Sequence, residues 1–338
     1  MSPPKPSRIA SHAGSWYDSS GPGLSAQLDR FLDAVPASTT PIGTESSKGA
    51  PVSIPSSGAR AIIAPHAGYA YSGPAAAWAY KALDLSNAKR IFLLGPSHHY
   101  YLSRCALSRC GAYETPLGDL QIDLATVAEL DKSGHFDRMS IDTDEAEHSL
   151  EMHLPYIYKM CSRAFSSPSA FPKLVPILVG STEPATEKQY GALLAPYLSD
   201  PSNVFIISSD FCHWGQRFRY TYYRTPDGTA HNLRSAGKRP SNPRIHESIA
   251  LVDQMCMDAV ESGEHDEFLS VLHETGNTVC GRHPIGVMMA AIEQLWTANP
   301  SSEADEGGRF KFVRYERSSD CVDVRDSSVS YCSAHAIL

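Results

Sequence analysis

Apolar residues in this chain gather into short dense runs broken by turn-forming residues. Residues 61–66 (AIIAPH), 90–99 (RIFLLGPSHH), 173–179 (KLVPILV) and 203–213 (NVFIISSDFCH) each contain an apolar run of strand length. A run apolar at nearly every position reads as a strand buried on both faces of a parallel sheet. Between these runs the period becomes helical. Leu24, Leu28, Phe31, Leu32 and Val35 follow a Gly-Pro-Gly start and share one face until Pro36. Pro74 is expected to open an Ala-rich helix to Leu83, Asp123 to cap one running to Gly134, and Pro184 to open one carrying Tyr190, Leu193, Leu194 and Tyr197. Three more helices are expected over 244–263, on to His273, and from Pro284 to Trp296, while 144–160 reads as helical with a bend at Pro155. A short strand over 104–108 and two closing strands over 310–315 and 328–335 complete the pattern. Strand and helix alternate, which predicts an α/β fold with a mostly parallel central sheet and a single domain over residues 1–338. Polar stretches at 36–58, 224–243 and 297–308 read as surface insertions, the first of them mobile.

Charge and composition narrow the function classes. The 338 residues carry a formal net charge of -8 and no basic run to follow a phosphate backbone, which excludes a general nucleic-acid binder. The opening MSPPKPSRIASHAGSWY lacks the apolar centre of a secretory signal, and no apolar stretch reaches the roughly 20 residues a membrane span needs. A cytoplasmic or nuclear protein with no membrane insertion is expected. The eight cysteines are scattered without a C-x-x-C pair, so most are expected to be buried thiols.

The chemistry sits where the strands end. His66 lies in P-H-A-G-Y, where Gly68 lets backbone approach a bound group; His98 and His99 follow the Ser97 turn, and the sequence leaves open which of them faces inward. Asp210 and His213 end another strand, spaced as a carboxylate orienting an imidazole or as an acid/base pair, with helix capping the alternative for Asp210. Cys280 precedes Arg282 and His283, and a cation beside it would depress its pKa and make it a soft ligand or redox group. Ligands in open α/β sheets bind outside the carboxyl ends of the strands, so His66, His98, Asp210, His213 and Cys280 are expected to converge on a metal-competent site. His148, Glu151 and His153 lack the spacing of the zinc-protease motif H-E-x-x-H and read as packing or supporting residues. Trp16, Tyr69 and Tyr71, in glycine-bearing turns, are core residues or the wall of a pocket for a planar ligand.

Seven motifs in order, SHAGSWY, APHAGYAYSG, LGPSHH, EHSLEMHLPY, SSDFCHWGQRFRY, CGRHPIG and DSSVSY, resemble the Memo family, mediators of ErbB-receptor-driven cell motility, from about His12 to Tyr331. The resemblance implies a three-layer α/β/α domain similar to class III extradiol dioxygenases, which use non-haem iron held by two His and a carboxylate. His66 and His98 match the two His positions, Cys280 falls where the carboxylate is expected, and His213 matches the acid/base His. The cysteine departs from that ligand set. It favours a copper- or iron-binding redox protein linked to signalling, motility or cytoskeletal control over a ring-opening dioxygenase with a small aromatic substrate. The resemblance also implies a third reading, a module that binds a phosphotyrosine peptide or signalling protein in the same cleft through Trp16, Tyr71, Asp210 and His213.

Overall fold

Nine strands form the central sheet of the computed structural model, which describes residues 5–234, 239–298 and 308–338. In chain order they are β1 (Ala59–Ala64), β2 (Arg90–Pro96), β3 (Ala106–Leu107), β4 (Asp137–Arg138), β5 (Lys173–Val179), β6 (Asn203–Ser208), β7 (His213–Trp214), β8 (Phe310–Arg317) and β9 (Ser328–Ile337). Their spatial order is β7-β9-β1-β6-β2-β5-β3-β4, with β8 also paired to β9. The inner four, β1, β6, β2 and β5, run parallel, and β9 closes against β1 antiparallel. Every residue of β1 and β6 is buried, as is all of β2 and β5 beyond their first residues, which is why these strands carry no polar alternation. Phe92 of β2 stands opposite Phe205 of β6, and their rings stack at 4.7 Å.

Among the described residues ten helices surround the sheet: α1 (Gly21–Asp33), α2 (Tyr69–Ala82), α3 (Leu124–Lys132), α4 (Ile141–Ala146), α5 (His148–Glu151), α6 (Leu154–Ala164), α7 (Pro184–Ser199), α8 (Ile245–Glu261), α9 (His265–Thr275) and α10 (Arg282–Ala298). In one layer α2 packs on β1, β8 and β9 with α1 and α6 behind it; in another α10 lies on β2 and β6 with α7 and α9 against it. The expected α/β fold with a mostly parallel sheet is therefore the observed one.

Three local expectations change. The Ala-rich helix begins at Tyr69, not Pro74, because the Gly68 carbonyl accepts the amides of Tyr71 and Ser72 and starts the turn earlier. The 144–160 stretch is not one bent helix: Glu147 is extended and separates α4 from α5, and Pro155 sits harmlessly in the first turn of α6. The 36–58 stretch lies at the surface but is tied down. Ser38–Thr39 pairs with Val52–Ser53, Thr44 donates through its amide and hydroxyl to Asp258, Ile42 donates to the Phe312 carbonyl, and Ile54 is buried. In 224–243, Tyr222–Arg224 pairs with Ala230–Asn232 as a hairpin. Most of 297–308 lies outside the described residues.

Candidate metal centre

Topology brings the strand ends together. β1 leads through Pro65 to His66, β2 leads to His98, and the turn before α10 places Cys280 over the end of β6. That turn requires glycine: a Cβ on Gly281 would stand 2.3 Å from the Ser208 carbonyl. The ligand atoms of His66, His98 and Cys280 lie within 4.8 Å of one another.

Hydrogen bonds settle which nitrogen each imidazole offers. Ser208 Oγ donates its one proton to the Ser149 carbonyl at 2.7 Å, so it can only accept from His66 Nδ1 at 2.6 Å. His66 therefore carries its proton on Nδ1 and turns the lone pair of Nε2 towards Cys280 Sγ, 3.2 Å away. His98 Nδ1 donates to Glu147 Oε1 at 2.9 Å, which likewise leaves Nε2 as its free donor atom. Glu147 also accepts the amides of His98 at 2.6 Å and Ser149 at 3.0 Å. Burial alone would push the Glu147 carboxyl up, but the hydrogen bonds from the side chain and amide of His98 bring it down to about 2.

Cys280 corrects one expectation. Its thiol is pushed well above the ordinary range, first by burial and then by the Asp210 carboxylate, because its sequence neighbour Arg282 is exposed in a groove and does not set its surroundings. A metal ion would have to displace that proton. The donor set fits one: two imidazoles with Nε2 turned out and a thiol that can become a soft ligand, at separations a single ion can bridge.

The remaining expected residues surround this triad. Asp210 is 3% exposed, and its Oδ1 accepts the backbone amide of His66 at 2.8 Å, so it clamps the ligand loop and lines neither adjoining cavity. His213 donates Nδ1–H to the Phe211 carbonyl at 2.9 Å and packs edge-on to Phe218, leaving Nε2 free; it lies outside the three-residue cluster. Trp16 and Tyr71 line a chamber of about 610 Å³ together with Gly68, Arg217 and Tyr331. Tyr69, by contrast, is a core residue whose hydroxyl donates to the Met152 carbonyl. Of the adjacent pair, His98 is the one that joins the triad.

Sequence reading missed Glu147 and underrated His148. The His148 ring stacks on His98 at 4.4 Å and meets Trp16 at 4.5 Å, so it bridges the triad and the Trp16 chamber. His98, Glu147 and His148 form a second close group, but there Glu147 accepts the His98 Nδ1 proton and so supports the triad. A further layer sits beneath. Fully buried Arg8 donates to Glu151 Oε2 at 2.7 Å and to the carbonyls of Asp144 and Glu147, and Glu151 also accepts from His12 and Tyr17. In the sequence Glu147 stands at the head of EHSLEMHLPY and two residues before Ser149, whose amide it caps. His153 is a packing residue, as expected, held by the Tyr80 hydroxyl at 2.6 Å.

Comparison with known proteins gives the lineage. The family model described as Memo-like protein matches residues 8–335. Protein MEMO1 of Rattus norvegicus and that of Homo sapiens are each 46% identical over 326 residues, covering 96% of this chain and 96% of their own. Protein memo-1 homolog of Caenorhabditis elegans is 40% identical over 328 residues, covering 96% of this chain and 81% of its own. A solved structure, uncharacterized protein JW3007 from Escherichia coli K12, aligns over 81% of this chain and 99% of its own at a TM-score of 0.44 and 13% identity. With a family match across nearly its whole length and relatives at this identity, the chain belongs to the Memo family.

Proposed function

We propose that this chain is a cytoplasmic or nuclear metal-binding redox protein that holds one copper or iron ion through His66, His98 and Cys280 and acts in signalling, motility or cytoskeletal control. The observation that carries the reading is the pair of imidazoles whose Nδ1 protons are committed to Ser208 and Glu147, so that both Nε2 lone pairs are presented beside Cys280 Sγ. Such second partners are what fixes tautomer and ring orientation at metal sites. The ion, when bound, would supply electron-transfer or oxygen chemistry. This chain's residues orient the ligands, with Asp210 holding the His66 loop and His213 Nε2 available to accept or give a proton.

The thiol sets this centre apart from an extradiol dioxygenase, where a carboxylate would complete the set. A phosphotyrosine-peptide reading has its own support in the Trp16 and Tyr71 chamber, where Arg217 supplies a cation beside aromatic walls. The deciding test is elemental analysis of protein purified without added metal, followed by Cu(I) titration. Cys280→Ser is expected to lower Cu(I) affinity sharply with the fold intact, and Cys280→Glu to shift preference towards Fe(II). Equal Cu(I) affinity in wild type and Cys280→Ser would overturn the metal reading and put peptide binding first.

A further inference from the structure

The triad is flanked on its other side by a groove of about 390 Å³ that the metal reading does not use. His98 and Cys280 line it together with Asn277, Thr278, Arg282 and His283, and no Asp or Glu does. Arg282 is exposed, and among the described residues its guanidinium has no hydrogen-bond or ion-pair partner. A free guanidinium in a concave site without carboxylates is a receptor for an anion, and its planar fork matches a carboxylate.

His283 beside it is fixed from behind. Its Nδ1 donates to Glu187 Oε1 at 2.7 Å, while Glu187 Oε2 takes His265 Nε2, also at 2.7 Å. Glu187 is 1% exposed, and it reaches His283 across α10 only because Gly286 has no side chain: a Cβ there would stand 2.2 Å from Oε2. The ring of His283 is thus held in one orientation, with Nε2 as its free nitrogen at the groove.

We propose that this groove binds a small carboxylate-bearing molecule, gripped by the Arg282 guanidinium, with its other end directed at the His66, His98 and Cys280 triad and with the fixed His283 Nε2 as a hydrogen-bond acceptor on its wall. The volume is within the range of small-molecule sites. The inference stands on the groove and needs no ion, so metal-free full-length protein is the material for its test.

The probe is benzoate, titrated calorimetrically, with uncharged benzamide as its isostere. One benzoate per chain is expected to bind saturably at millimolar concentration, with benzamide at least tenfold weaker. Arg282→Ala, a surface change that spares the fold, is expected to weaken benzoate about tenfold, a difference of about 1.4 kcal/mol. Arg217→Ala, in the opposite chamber, should leave benzoate binding unchanged. Absence of saturable benzoate binding, equal affinity for benzamide, or equal affinity in wild type and Arg282→Ala would overturn the proposal. None of these outcomes bears on Cu(I) binding, so the two readings fail separately.

Discussion

Glu147→Gln tests the support of the centre most directly. The carboxylate is 1% exposed and accepts three N–H groups, from the amide and Nδ1 of His98 and from the amide of Ser149. Glutamine keeps the shape, removes the charge and turns an NH2 group towards donors. The folded carboxyl is lowered from 4.5 to about 2, which at about 1.36 kcal/mol per pKa unit corresponds to roughly 3 kcal/mol. Because the folded pKa is the lower one, this stability is present above about pH 4.5 and is lost as pH falls towards 2. Metal-free Glu147→Gln is therefore expected to be less stable than wild type by up to about 3 kcal/mol at neutral pH, measured by urea denaturation. The gap should shrink by about 1.4 kcal/mol at about pH 3.5, one unit below the unfolded value. Cu(I) affinity should fall about 10- to 100-fold, as for other residues that orient a ligand. A stability gap that does not change with pH would show that Glu147 acts through shape and not charge. Unchanged Cu(I) affinity would show that His98 needs no partner.

Other perturbations follow from the same contacts. Ser208→Ala strands the Nδ1 proton of His66 in a buried site; it should cost about 1–3 kcal/mol by urea denaturation and lower Cu(I) affinity about tenfold. Deleting 38–57 removes the Thr44 bonds to Asp258 and buried Ile54, and should lower the melting temperature by about 5 °C or more; an unchanged value would mean that the hairpin carries no stability. Gly286→Ala drives a methyl group against Glu187 and should destabilise by about 1–3 kcal/mol by the same assay. Metal affinity should fall with acidification, and binding at neutral pH should release a proton from the half-buried Cys280 thiol; calorimetry in buffers of different ionisation enthalpy would detect it.

The parts of the fold legible in the sequence were those whose burial is two-sided. β1, β2, β5 and β6 announce themselves because nearly every position in their interiors is apolar, and the residues beyond their carboxyl ends, His66 and His98, follow from that reading. Cys280 was legible as a candidate from its place in a sharp turn before a predicted helix, and the family motif added the ligand position it would fill. Glu147 and Ser208 were not legible. The first meets His98 across 49 positions and the second meets His66 across 142, and neither residue type is unusual where it stands. The 36–58 hairpin escaped for the same reason: its anchor is Asp258, 214 positions from Thr44. For Cys280, proximity in the chain misled, because the thiol feels burial and Asp210 and not the nearby Arg282.

The strand order also constrains how the polypeptide is made. β6 lies between β1 and β2 in space but is synthesised after both, and Cys280 emerges later still. A nascent chain that has left the ribosome only as far as α7 therefore has a sheet with its centre missing: β1 has no strand on either side, because β9 also comes later, and β2 lacks its neighbour on one side. Unpaired strand edges are sites of mispairing, so this stage of synthesis calls for chaperone cover. His66, His98 and Cys280 can stand together only after β6 lies between its neighbours and α10 has docked. An ion held there as proposed would be loaded after translation, into a finished sheet, and would not be the nucleus around which the chain folds.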